Sequence, residues 1–596
     1  MKPALPPAPA HGRQRPIAAA MAALLALAAC ATASSSRGWS QGLADTGSEA
    51  PPPVAAPSAD ELAASFLVGR FALDQGDYKV AAESFEQALK ADPTNVELQQ
   101  QLVALRIADG DFEGAKAAAT RLVALDPGAD EAQLLLALDA SRRGDHAQAV
   151  HLLQELGATG LPGTVRPILL AWAQFDAGQE AKARETLRAP AARGGLDRLH
   201  AYHRAVMLGL SGAPQQGLEL LRSTFGNPAA APERVVREAA SLEHRAGRQD
   251  EALALLAQAR AQDPEDRQLE AIELVLRQGG DPGAVRNGGD GMGDALIEVA
   301  QALAEQDGNA QALLFARLAS FVRPDDASAY LVIAAVLLRQ DHPEAALKAL
   351  DQVSADSPLA WQAGFARARA LEALDRTDEA VALLTEMTDS APTRVDAPTT
   401  LGDLLRGKER YAEAEQAYTK AIQRLPGLRS QDWRLLYARG ITFERTKRWP
   451  QAEADLLKAL ELQPDEPLVL NYLGYSWVDQ HQNLERAKGM LHRAVELRPN
   501  DGFIVDSLGW AYFRLGDYDQ AVSYLDRAVE LEPGDAVIND HLGDALWRVG
   551  RQREARFQWS RSLTLDPEPD LVTSIQDKLV HGLAPQAERS QPERKG

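Results

Sequence analysis

The chain has 596 residues, 45% apolar and 25% charged, an ordinary folded composition that excludes wholesale disorder but exceeds one compact domain. With 63 basic and 84 acidic residues the net charge is −21, so no global basic footprint exists and nucleic acid is not an expected partner. Its single cysteine, Cys30, excludes internal disulfides and cysteine-based zinc sites.

Residues 1–16 carry Lys2, Arg13 and Arg15 with no acid, and Ile17–Ala29 is an unbroken apolar run. A bilayer span needs about 20 such residues, so 1–29 reads as a secretory signal peptide. Leu27-Ala28-Ala29-Cys30 resembles the bacterial lipobox. That resemblance implies that Cys30 is lipidated and becomes the N-terminus, and two or more acyl chains anchor stably. Ala31, where Asp would signal retention at the inner membrane, implies the outer membrane of a diderm bacterium, with the body facing the periplasm. Residues 30–61, with Ser34–Ser36 and Pro51–Pro53, are too poor in large apolar side chains to fold and read as a disordered tether.

From Leu62 the chain repeats every 34 residues. Units start at Leu62, Val96, Asp130, Thr164, Arg198 and Glu233, and again at Gly293, Ala327, Trp361, Val395, Trp433, Pro467, Gly502 and Ala536. Position 20 is alanine in thirteen units and Gly217 in the other, position 8 is Gly or Ala except at Val103, and position 32 is proline in eleven. This pattern resembles the tetratricopeptide repeat over 62–569. The resemblance implies an all-α superhelical solenoid of about 14 helix pairs, in which small residues at 8 and 20 admit close helix contacts and proline ends the second helix. At about 9–10 Å per packed helix its contour is roughly 250 Å. The first helix of each pair would line a concave groove.

Arg267–Gln278 reads as a lone helix, and residues 279–293, seven of them glycine, as a loop. The pair, bounded as 267–292, separates a six-repeat array (62–266) from an eight-repeat array (293–569). Leu571, Ile575 and Leu579 recur at helical spacing and predict a capping helix over 570–583, before a polar, disordered tail (584–596).

No catalytic constellation survives inspection. Gly402 to Lys408 has the spacing of a phosphate loop, but Glu409 stands where Ser or Thr is needed and no strand precedes it. Gly474-Tyr475-Ser476 continues as helix and fails as a nucleophile elbow. His200 and His203 share a helical face without a third ligand, which reads as a solvated polar face rather than a metal site. Neither enzyme activity, metal, cofactor nor small-molecule substrate is expected.

Sixteen aromatic residues, six of them Trp, lie between Trp433 and Trp559. By family geometry the groove-facing positions of the first helices there are Tyr437, Asn471, Tyr475, Phe503, Asp506, Trp510, Phe513, Asp540, Asp544, Trp547 and Arg548. Aromatics beside carboxylates suit a binding hot spot for a basic or neutral partner. Chaperone-tail clamps of this family use Lys at position 5 and Asn at 9, and no repeat here has either. The block from Leu470 to Trp477, Ile504 to Tyr512 and Ile538 to Arg548 resembles outer-membrane tetratricopeptide lipoproteins of proteobacteria, among them adaptors of periplasmic carboxyl-terminal processing proteases. That resemblance implies a lipid-anchored scaffold binding envelope proteins, in its sharpest form a protease adaptor for cell-wall-related substrates. The alternative is a structural subunit or assembly factor of an outer-membrane export complex for polysaccharide or protein.

Overall fold

A computed structural model describes residues 59–157, 160–188, 196–262, 266–306 and 308–584. The signal peptide, Cys30, almost all of the tether and the tail beyond 584 lie outside the described residues. Within the described residues every regular element is helical: thirty α-helices and two short 3₁₀ turns. They run as pairs, from Ala59–Asp74 with Tyr78–Ala88 to Ala536–Arg548 with Gln552–Ser562, followed by a final helix, Pro569–His581.

The small-residue periodicity has a direct physical counterpart. All thirteen position-20 alanines are 0% exposed. Position 8 faces position 24 within each pair. A Cβ on Gly69 would lie 2.5 Å from the Phe85 ring, and one on Gly543 would lie 2.5 Å from Trp559, so the large residue is accommodated by the missing one. Position 15 turns the chain through the left-handed region, with φ of 69° at Gly76, 86° at Gly110 and 88° at Gly516. The next residue caps the second helix: Asp77, Asp111, Asp145 and Asp517 each accept from a backbone N–H three residues on. In repeats 8–12 the same turn is made by Asp341, Asp375, Glu409, Lys447 and His481, at φ between 56° and 62°, each a strain of about 1 kcal/mol that glycine avoids.

The chain divides into two compact units at Leu401/Gly402, inside the helix Asp396–Gly407, and not at the glycine-rich stretch taken from sequence as the separator. Beside a smaller separate cluster from Val236 to Leu276, the main core of the first unit runs from Ala72 to Ala363. The reason is a long-range closure. The seventh repeat, Gly288–Glu305 and Asn309–Val322, packs against the first helices of repeats 2, 3 and 4 (Val96–Asp109, Asp130–Arg142 and Gly160–Asp176). Gly288 N–H donates to Asp176 Oδ1 at 2.7 Å, Arg317 Nε donates to the Ala108 carbonyl at 3.0 Å, and Phe321 meets Phe112 at 4.7 Å between ring centres. The second half of the expected loop is therefore the first turns of a helix, capped by the Asn287 side chain. The Trp172 ring leaves Gly291 no room for a side chain, Asp176 and the Trp172 carbonyl close off Gly288, and Arg323 closes off Gly293. Arg267–Arg277 is a helix, as the sequence predicts.

The second unit has its own core, from Leu436 to Ile575. Its final helix buries Leu571 and Ile575 as the spacing predicts, and adds a residue that periodicity does not mark, Lys578.

Candidate binding cleft

The aromatic wall of the last repeats is mostly interior. Trp510 is sandwiched between Phe513 (4.6 Å) and His541 (3.9 Å). Tyr475 is buried, and half-buried Tyr437 packs edge-on against Tyr472. Trp547 packs on Trp559 at 5.3 Å, with Arg548 half-buried beside it. The polar residues expected to meet a partner are committed within the chain. Asn471 donates to Ser507 Oγ at 3.2 Å, and Asp506 accepts from His541 Nδ1 at 3.0 Å. Lys578 donates to Asp540 at 2.7 Å and to Asp544 at 2.9 Å. These contacts form a polar ladder between successive first helices, because positions 5 and 9 face the neighbouring repeat rather than open solvent. Half-buried Phe503 lies beside a shallow crevice with Arg498, Pro499 and Glu532.

His200 and His203 are also corrected. They are 4% and 0% exposed, so their face is core and not solvated. His203 Nδ1 accepts from Trp172 Nε1 at 3.2 Å, and burial holds its pKa well below the ordinary value. Among the described residues no group of three His, Cys, Asp or Glu could hold a metal ion.

A more open concavity lies in the first unit. A cleft of about 740 Å³ opens between the first helices of repeats 6, 7, 8 and 9 (Glu233–Arg245, Gly288–Glu305, Ala327–Arg339 and Ala360–Ala373), beside the helix Arg267–Arg277. Arg234, Arg237, Asp294, Glu298 and Gln301 line one side, and Ser328, Leu331, Val332 and Ala335 the other, with Gln362 at its edge. In repeat numbering these are positions 2, 5, 6 and 9. The rule that places groove residues in the last four repeats therefore also reaches these, and aromatic enrichment is what draws attention away from them. Five carboxylates and three arginines line the cleft. The arginines are all engaged: Arg234 with Glu298, Arg237 with Glu233 at 2.7 Å, and Arg323 with Asp326 at 2.8 Å. Asp294 is partly open to the cleft, yet its Oδ2 is buried without a hydrogen-bond partner, as is Gln362 Oε1. Burial raises the Asp294 pKa, and that of Glu298 to about 7.

Behind this wall Glu238, 2% exposed, is pushed up to about 8 by burial, with Arg245 opposing. The folded state thus holds a proton that the unfolded chain releases near pH 4.5, and folding stability declines as pH rises from there to about 8. Glu238→Gln is expected to raise stability at pH 8 by on the order of 2 kcal/mol and to leave pH 4.5 unchanged. Urea unfolding at the two pH values measures the difference, and an equal effect at both would contradict it.

Models described as tetratricopeptide repeat match residues 72–138, 331–394, 399–467 and 506–535. No curated protein matches the chain in sequence. Among solved structures, the APC/C hetero-tetramer Cut9–Hcn1 is similar at 16% identity and TM-score 0.36, over 88% of this chain and 97% of its own. A tetratricopeptide repeat protein from Parabacteroides merdae is similar at 12% identity and TM-score 0.35, over 49% and 99%. YrrB, titled a TPR protein with an unusual peptide-binding site, is similar at 21% identity and TM-score 0.26, over 33% and 97%. Superpositions this partial leave those proteins' ligands uninformative for this chain. The paired helices, the 34-residue register and the matching models give the chain an all-α fold built of tetratricopeptide repeats, which supports a scaffold for protein–protein interaction.

Proposed function

We propose that this scaffold works in the bacterial periplasm, anchored by acyl chains on Cys30 to the outer membrane and gathering envelope proteins on its repeats. In its sharpest form it is an adaptor that brings a periplasmic protease to cell-wall-related substrates. The observation that carries the reading is Leu27-Ala28-Ala29-Cys30, with the only cysteine of the chain placed directly after a thirteen-residue apolar run. Anchoring supports such a role physically, since tethering the scaffold raises the effective concentration of whatever it holds near the membrane. In the described residues no helix is long and apolar enough to cross a membrane.

Cys30→Ser tests it. The wild-type chain is expected in the membrane fraction, and the variant in the soluble periplasmic fraction, because a chain without acyl groups keeps no stable anchor. Unchanged membrane association of the variant would overturn the anchor. Capture on the wild-type chain is expected to recover a soluble protease with its substrates; recovery of an outer-membrane barrel instead would favour a subunit of an export complex.

A further inference from the structure

Three features set the cleft of repeats 6–9 apart from the rest of the first helices. The corresponding face of repeats 2–4 is filled by the chain's own seventh repeat, and the last repeats use positions 5 and 9 to bind one another. The cleft is thus a place in the first unit where groove positions of four successive repeats remain open. Its charge is also incompletely balanced. Every lining arginine is engaged by a carboxylate, while Asp294 has no ion pair and its buried Oδ2 accepts nothing. Finally, Arg234 Nη1 and Glu233 Oε1 make no hydrogen bond but sit in ion pairs, which leaves two lining atoms with neither kind of partner. Asp294 Oδ2 and Gln362 Oε1 are both acceptors, facing an apolar wall of Leu331 and Val332. Buried acceptors without donors are costly to a fold and are commonly completed by a ligand.

We propose that this cleft binds an extended basic segment of a partner protein, one Lys or Arg side chain entering to donate to Asp294 and an apolar neighbour lying on Leu331 and Val332. Lysine and arginine carry donors only, which matches a site with unmet acceptors. The carboxylate excess repels an acidic chain, so selection operates by charge as well as by fit. This inference rests on the scaffold reading and names the class of partner.

The test uses the purified mature protein and fluorescein-labelled random decapeptides with Lys, Arg, Glu or Leu fixed at the centre, read by fluorescence anisotropy at low salt. Lys- and Arg-centred sets are expected to bind about ten-fold more tightly than Glu- or Leu-centred sets. Asp294→Asn should abolish most of that preference without lowering the melting temperature, because burial penalises the charged carboxylate that asparagine replaces. Asp325→Asn, at the exposed rim, should keep it. Absence of binding, binding without cationic preference, or an undiminished preference in Asp294→Asn would each overturn the proposal. The readout needs neither membrane nor anchor. A negative result with Cys30-dependent localisation and envelope-protein capture intact therefore removes the cleft assignment and leaves the scaffold reading standing, whereas loss of capture removes the latter.

Discussion

Lys578→Met is expected to destabilise the second unit by about 3–5 kcal/mol, the loss typical of removing one partner from a buried ionic cluster. Lys578, Asp540 and Asp544 are 8%, 0% and 5% exposed. Burial alone would discharge the ammonium, but Asp544 and Asp540 hold its pKa above the ordinary value. Asp544, which also accepts from Trp559 Nε1 at 2.9 Å, is pushed up to about 6 by burial and by Asp540. Without the lysine two carboxylates face each other in a dry interface. The deficit should shrink as pH falls from 8 to 5, since a carboxyl with a raised native pKa favours the fold once protonated. Adding Asp540→Asn should recover part of the loss even at pH 8, a non-additivity that a double-mutant cycle detects. Urea unfolding with hydrogen exchange over 536–581 is the measurement. A loss no larger than that of Gln576→Ala, on the exposed side of the same helix, would show that the cluster contributes nothing.

That lysine also shows where sequence reasoning stops. Periodicity predicts the final helix, and Leu571 and Ile575 are buried as their spacing demands. A charged residue three positions beyond Ile575 is assigned to solvent by any hydrophobic pattern, and only the facing carboxylates of Ala536–Arg548 make its burial tolerable. The same blindness affects Asp506, Asp540 and Asp544. Their position numbers place them on the groove side, but the pattern within a repeat does not say how closely the next first helix approaches. Repeat register, by contrast, is a local property repeated fourteen times. The position-20 alanines were therefore legible residue by residue. The cleft was half legible: positions 2, 5, 6 and 9 of repeats 6–9 follow from the register. The vacancy at Asp294 depends on how the chain breaks and resumes after Arg267–Arg277. The long-range closure was invisible for the same reason, since Trp172 and Gly291 are 119 residues apart and nothing in a 34-residue period links them.

Gly291→Ala probes that closure with a change of sign. In an open helix, replacing glycine by alanine stabilises by about 1 kcal/mol. Here a Cβ would sit 2.1 Å from Trp172 Cε2 and 2.3 Å from Cδ2. The indole cannot retreat: it is 0% exposed and its Nε1 donates to His203. Overpacking of this kind costs about 1–3 kcal/mol and occasionally more, so the substitution should destabilise the first unit, and Gly291→Leu should undock the seventh repeat from the fourth. Gly289→Ala is the internal control. It lies two residues away in the same helix, with only the Asn287 side chain near its Cβ, and should be neutral or slightly stabilising. Urea unfolding orders the three variants, and protease sensitivity within 279–322 reports undocking. If Gly291→Ala matched Gly289→Ala in stability and protection, repeat 7 would not be held against Trp172. The core running from Ala72 to Ala363 would then separate at that contact, leaving Gly291 without a packing role.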